Sequence, residues 1–267
     1  MYKAILTMAA LAALAFQAAA QTTTYEPYEG QSGKDVVWVP TPPTLVETML
    51  DALNLTPRDH LMDLGSGDGR MVIAAAKRGV RAVGVEYEAG MVAISRRNAQ
   101  AAGVANRATF IQGDMFEADL SKATVFALFL LTQNLVRLEP KFRELAPGTR
   151  IINNGYRISG WEEEKVITAQ GQCGSWCTAY LYLVPAKVAG DWQFPAGLLR
   201  LTQSVQVIGG MLRTPDGAQV PVAGRVRGEI VQFKVNGDTY TGRVQGKTMR
   251  GEATGAFSGH WTATRLK

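Results

Sequence analysis

The chain is poor in the residues that carry most metal, thiol and imidazole chemistry, with 2 cysteines and 2 histidines in 267 residues. His60 and His260 lie far in sequence from Cys173 and Cys177, so no four-ligand zinc set can be read and no metal site is expected. Charged residues are scarce at 19%, and the 28 glycines and 11 prolines follow no period. That excludes disordered, coiled-coil and collagen-like chains. Past residue 20 no apolar run is long enough to cross a bilayer; Ala123 to Leu131 is nine residues, the length of a buried strand. What is present is 46% hydrophobic residues, in a length suited to one large domain or two modest ones.

Met1-Tyr2-Lys3 makes a short positive start, Ala4 to Phe16 is apolar apart from Thr7, and Ala18-Ala19-Ala20 puts small residues before Gln21. The pattern predicts a signal peptide over residues 1–20 and an exported chain, periplasmic or secreted, with no transmembrane segment after cleavage. An uncleaved anchor is the alternative, for which the stretch is short. In an exported protein, Cys173 and Cys177 flanking Gly174-Ser175-Trp176 suggest a disulfide across a turn; free thiols and a redox pair are the other readings. Net charge is +1 over residues 1–20, −1 over 21–187 and +5 over 188–267. The basic tail suits an acidic partner, a phosphate-bearing surface or a solvated sheet face. It has no aromatic-rich basic motif, so nucleic acid is not an expected partner.

From about residue 55 to 187, short β-rich runs alternate with amphipathic stretches. Strands are predicted over His60 to Gly65, Arg81 to Glu86, Ala108 to Gln112, Thr124 to Leu130 and Thr149 to Asn154. Helices are predicted over Gly69 to Arg78, Gly90 to Ala102 and Gln133 to Leu145. Such alternation requires a mostly parallel sheet with helices on both faces. Trp161 to Glu164, Val166 to Ala169 and Thr178 to Val184 finish the unit, the last two as an antiparallel pair joined through the cysteine turn. After Pro185 the style changes to an antiparallel meander, with strands Leu199 to Val207, Val220 to Arg227, Ile230 to Val235, Tyr240 to Gln245 and His260 to Arg265. Gly-Gly, Pro-Asp-Gly and Asn236-Gly237-Asp238 are read as its turns. Gly224 to Gly228 resembles Gly242 to Gly246 at an 18-residue offset, as hairpins of similar design would. This tail could close as a small barrel or lay an apolar face on the first domain, and either bind a ligand or serve a structural or targeting role. The expected division is 1–20 leader, 21–54 lead-in, 55–187 α/β domain and 188–267 antiparallel all-β domain.

The chemistry lies in Asp63-Leu64-Gly65-Ser66-Gly67-Asp68-Gly69-Arg70. Its glycines allow a sharp turn and close approach to a ligand at a helix N-terminus. A dinucleotide fingerprint would need glycine where Arg70 stands, and the Gly-Lys-Ser/Thr of a phosphate loop is absent. Asp63 suits a ligand carrying an ammonium group. Glu86 ends the second strand 21 residues past Gly65, where a carboxylate can accept both hydroxyls of a ribose. Asp114, in Gly113-Asp114-Met115, places an acid near an adenine amino group.

These residues together resemble the cofactor site of the class I, seven-strand S-adenosylmethionine-dependent methyltransferases, over roughly Val36 to Lys187. The resemblance implies a Rossmann-like doubly wound α/β sheet. It implies that Asp63, Gly65, Ser66, Gly67, Asp68 and Gly69 border the methionine part and ribose, that Glu86 holds the ribose, that Tyr87 lies against adenine, and that Asp114 and Met115 edge the base. The lead-in Val37 to Pro43 is similar to that of the mitochondrial ATP-synthase c-subunit lysine methyltransferases and their bacterial relatives, enzymes of protein lysine. There the proline segment closes over the methionine end, which would bring in Pro40, Thr41 and Pro42; an extended linker is the alternative. The mitochondrial enzymes have no counterpart to the β-rich tail, and the export signal is a second departure from them.

Methyl transfer needs a neutral nucleophile held close to the methyl in a dry site, and a dedicated base is optional. Gln133 and Asn134, after the fourth strand, are the candidates for orienting a substrate amine, unless they cap the next helix. Asn153-Asn154-Gly155-Tyr156 offers a second polar rim or simply a turn. The expectation is an S-adenosylmethionine-dependent methyltransferase with protein lysine as the leading acceptor and a small molecule behind it. The competing expectation is an exported noncatalytic adenosyl-ligand or envelope-interaction protein that uses the fold as scaffold.

Overall fold

The computed structural model describes residues 25–266; the predicted leader lies outside them. Helix α1 (Pro43–Ala52) leads into β1 (His60–Leu64), α2 (Arg70–Lys77), β2 (Arg81–Glu86), α3 (Ala89–Ala101), β3 (Ala108–Gln112), β4 (Val125–Leu128), α4 (Thr132–Arg143), β5 (Arg150–Asn154), β6 (Lys165–Thr168) and β7 (Thr178–Leu183). Their strands form one sheet of order β3-β2-β1-β4-β5-β7-β6. β1 to β5 are parallel, whereas β7 runs antiparallel to both β5 and β6. Period-two alternation divides the core between the two faces. Val125 and Ala127 of β4 join Leu45, Met49 and Val72 on the side of α1 and α2. Phe126 and Leu128 join Leu135, Leu138 and Phe142 of α4 on the other. Strand order reverses between β1's neighbours β2 and β4, which opens a crevice at their carboxyl ends.

The tail forms β8 (Gly190–Phe194), β9 (Gly197–Ser204), β10 (Val207–Arg213), β11 (Gln219–Arg227), β12 (Ile230–Val235), β13 (Asp238–Gln245), β14 (Thr248–Thr254) and β15 (Gly259–Arg265), closed as an eight-strand antiparallel barrel. Its interior is filled by Trp192, Phe194, Phe233, Tyr240 and Trp261, as expected for a barrel of this strand number. Gly209-Gly210, expected as a turn, lies inside β10. A Cβ on Gly210, at φ +151°, would stand 2.0 Å from the Arg200 carbonyl oxygen, so glycine there serves close strand approach. The run expected as one strand from Leu199 to Val207 is folded back on itself, because Ser204 pairs with Val207 around a two-residue turn of Val205 and Gln206.

That turn also corrects the reading of residues 161–164, which form a loop and no strand. Gln206 donates through Nε2 to the Glu162 carbonyl at 2.8 Å and accepts from the Glu162 N–H at 3.3 Å. Trp161, buried against Tyr182, donates its indole N–H to Glu139 at 2.7 Å. Val205, 6% exposed, packs into the α4-side core of the sheet. Arg225 and Arg227 form ion pairs with Glu162 and Glu164 beside it.

Phe233 is 1% exposed, with the rings of Phe194, Tyr240 and Trp261 centred 5.3–5.9 Å away. Phe233→Ala is expected to destabilise the barrel by about 3–5 kcal/mol, read as a lowered urea midpoint at unchanged slope.

Candidate active site

A cavity of about 440 Å³ opens at the carboxyl ends of β1, β2 and β4, a size suited to a nucleoside-bearing ligand. Twelve of the thirteen residues expected in the site line it: Thr41, Asp63, Gly65, Ser66, Gly67, Asp68, Glu86, Tyr87, Asp114, Met115, Gln133 and Asn134. Gly69 does not. It precedes α2 at φ +82°, and a Cβ there would meet Phe110 at 2.7 Å and Ser95 at 2.9 Å, so it is glycine for helix-to-sheet packing. Pro40 lines the cavity with Thr41, while Pro42 stands outside it as the N-cap of α1.

The turn after β1 is tied to β2 by the Gly65 and Ser66 N–H groups, which donate to the Val85 carbonyl at 2.8 and 3.1 Å, and by one carboxylate. Glu86 accepts the Gly67 N–H at 2.9 Å and the Glu88 N–H at 3.0 Å, which fixes its head at the cavity wall. Gly67 has φ +55°, and a Cβ there would lie 2.4 Å from the Trp38 indole nitrogen, so only glycine lets the lead-in close this tightly over the turn. Arg70 binds both oxygens of Asp68, at 2.9 Å and 2.6 Å, and donates to the Thr41 carbonyl at 3.0 Å. The residue that breaks the dinucleotide fingerprint is thus a clamp between turn and lead-in. Lys34 pairs with Asp114 at 2.5 Å and lies 4.9 Å from the centre of the Tyr87 ring. Tyr87 itself is 48% exposed.

Asp63 is buried, and among the described residues no cation pairs with it. Burial first, then the neighbouring Glu86 and Asp68 charges, push its carboxyl well above the usual aspartate range. Ser66 Oγ is buried without a partner. An unpaired buried acid, an orphaned hydroxyl and a glycine cradle fit the amino-acid and ribose parts of S-adenosylmethionine.

On the acceptor side, α4 starts after Leu131 with no side-chain cap, so Gln133 and Asn134 are not capping residues. Gln133 is exposed, whereas Asn134 is 1% exposed with its Nδ2 unpartnered. Asn153 and Asn154 are fully buried outside the cavity. Asn153 accepts the Leu130 N–H at 2.9 Å and donates to the carbonyls of Leu130 and Tyr156 at 3.1 and 2.9 Å, stitching the β4 and β5 ends together. Tyr156 reaches the cavity. Lys34, Trp38, Arg70, Phe129 and Trp176 are further lining residues outside the expected set; Trp38, in the lead-in motif, Arg70, at the end of the glycine motif, and Trp176, between the cysteines, carry a sequence signal, whereas Lys34 and Phe129 carry none. Cys173 and Cys177 form a disulfide, with Cα atoms 5.1 Å apart.

Strand order and site together define a class I methyltransferase. The profile of the ANTKMT methyltransferase domain matches residues 63–165. A protein-lysine N-methyltransferase of Saccharolobus islandicus is 40% identical over 153 residues, which is 56% of this chain and 94% of that protein. The human lysine N-methyltransferase of the ATP synthase c-subunit is 36% identical over 50% of this chain and 57% of its own length; the chain thus spans little more than half of that relative. A solved RNA methyltransferase of Salinibacter ruber, in complex with S-adenosyl-L-homocysteine, is 40% identical, covers 57% of this chain and 98% of its own, and superposes with a TM-score of 0.53. The chain belongs to this family of S-adenosylmethionine-dependent methyltransferases, and the noncatalytic scaffold reading finds no support.

The folded pKa of Asp63 is raised, so between the unfolded and folded values the ligand-free protein binds more protons folded than unfolded and loses stability as pH rises through that window. A ligand ammonium favours the ionised acid. Binding of S-adenosylhomocysteine is therefore expected to release a proton and to tighten as pH rises through the Asp63 titration. Calorimetry in buffers of different ionisation enthalpy checks this; Asp63→Asn should abolish the proton release.

Proposed function

We propose that the protein is a protein-lysine N-methyltransferase that works outside the cytoplasm. The observation that carries the acceptor is the 40% identity spanning 94% of the Saccharolobus protein-lysine enzyme. The electrostatics of the cavity favour it over RNA. Six carboxylates line the walls against two cations, and both cations, Lys34 and Arg70, are already paired with Asp114 and Asp68. Such a site attracts an amine and repels a phosphate backbone. Export rests on the leader pattern of residues 1–20, supported by a disulfide of the kind that persists in oxidising compartments.

In this reading Asp63 holds the cofactor's ammonium, Gly65 to Asp68 border its methionine part, Glu86 accepts the ribose hydroxyls, Tyr87 covers adenine, and Asp114 with Met115 edges the base. Bound S-adenosylmethionine would supply an activated sulfonium methyl for the acceptor nitrogen. The chain's own part is to position and to dry. Leu128 to Leu131 form an apolar floor, and Asn134 presents a buried amide toward the amine. The acceptor must reach the sulfonium as a free amine, its ammonium proton passing to solvent or to a lining carboxylate before attack.

The test is transfer of tritiated methyl from S-adenosylmethionine to poly-L-lysine, to envelope proteins and to RNA, each with a Glu86→Ala control. Label recovered as methyl-lysine is expected. Glu86→Ala should weaken S-adenosylhomocysteine binding about tenfold or more, near 1.4 kcal/mol. Label in RNA alone, or in a small molecule alone, overturns the lysine acceptor. Recovery of the chain from the host cytosol with residues 1–20 intact overturns the location.

A further inference from the structure

Beyond the cofactor half, the cavity has an aromatic end built from three separate chain segments. Phe129 follows β4, Tyr156 follows β5, and Trp176 lies in the β6–β7 connection between the two cysteines; all three are half-buried and line the cavity with Asn134. Trp176 is the shared member, with its ring centre 5.0 Å from Phe129 and 5.8 Å from Tyr156. Room for it is made by Gly155, where a Cβ would come 3.0 Å from the indole ring. The connection is anchored on both sides. Cys173 is 4% exposed and belongs to the α1-side core, the Gln172 carbonyl accepts from Thr44 of α1 at 3.1 Å, and Ala169 N–H donates to the Cys177 carbonyl at 2.9 Å. The disulfide closes this five-residue loop, so the indole rides on a covalent ring pinned to the core.

We propose that Trp176 is a specificity-determining wall of the acceptor channel, shaped for a long alkyl chain ending in an amine, and that the Cys173–Cys177 disulfide holds it there. This rests on the lysine reading above. Aromatic faces attract a cationic head and bury its methylene stem, and the surplus of lining carboxylates adds a field of the right sign. Without the disulfide, Gly174, inside the ring at positive φ, gives the loop freedom that the ring removes. Acceptor binding is then coupled to redox state, since a dithiol reductant converts the disulfide to two thiols and is itself oxidised to a cyclic disulfide.

The experiment uses the whole protein loaded with S-adenosylhomocysteine, with Nα-acetyl-lysine N-methylamide as probe and its norleucine analogue as control, by calorimetry. Trp176→Ala is expected to weaken the lysine probe tenfold or more and Trp176→Phe less than threefold. Neither should shift affinity for S-adenosylhomocysteine by more than twofold. Reduction of the native chain, and Cys173→Ser with Cys177→Ser, should weaken the probe in the same way; if the double variant does not fold, reduction and Trp176→Ala carry the test. Probe affinity unaffected by Trp176→Ala or by reduction overturns the proposal, as does equal loss of both ligands, which would make Trp176 part of the general fold. Lysine methylation that proceeds with Trp176 irrelevant defeats this inference alone. Absence of lysine binding together with methylation of RNA defeats the acceptor reading as well.

Discussion

The Gly67 N–H to Glu86 hydrogen bond joins the ends of the two strands on which the site depends. Parallel strands β1 and β2 run side by side through Leu64 and Val85 and then must part, one into a turn and one toward α3. The carboxylate of Glu86 spans that parting and occupies two backbone N–H groups that would otherwise be left without partners in a half-buried place. The turn it holds presents Ser66 and Gly67 to the cavity, and Gly67 in turn admits Trp38. Loss of this one acceptor would leave the Gly67 and Glu88 N–H groups without partners and the turn held by Val85, Ser95 and the Arg70 clamp.

Around that bond the cavity has two unlike halves. The cofactor half is rich in carboxylates whose charges are partly answered by Arg70 and Lys34, while Asp63 is left unanswered by the described residues. A protein keeps an uncompensated buried acid at a cost, and a ligand cation relieves it. The other half is aromatic and amide-lined, with Asn134 and Phe129 placed by the β4 end and Tyr156 by Asn153. Asn153 is fully buried and satisfied, so its role is to set the spacing of the two strand ends.

Much of this was legible in the sequence because it depends on local pattern. β2 and β3 begin and end at the expected residues, since their apolar runs are bounded by turns with no competing signal. The acids and glycines of the first turn could be assigned because each is required by backbone geometry or charge near its own strand. Gly69 was misplaced because a glycine for ligand approach and one for packing against Phe110 look alike in a string of letters. Phe129 had no local mark, since its role comes from Trp176, in a loop two strands later. The barrel was harder still. Gly210 and Gly251 interrupt β10 and β14 in the alternation yet lie within paired strands, because the neighbouring backbone comes too close for any side chain.

Two of the misread segments, residues 161–164 and the turn at Val205, are the two sides of one contact. Val205 takes φ +50°, a conformation that a β-branched residue adopts only when its surroundings impose it. Residue 206 leaves the ribosome 44 residues after residue 162. During synthesis the loop into the last hairpin of the catalytic sheet is therefore held first through Trp161, on Glu139 and Tyr182, and its contact with Gln206 forms once the first strands of the barrel have followed. The order of translation makes the barrel the closing piece of the enzyme's own sheet, added last and read backwards onto what came before.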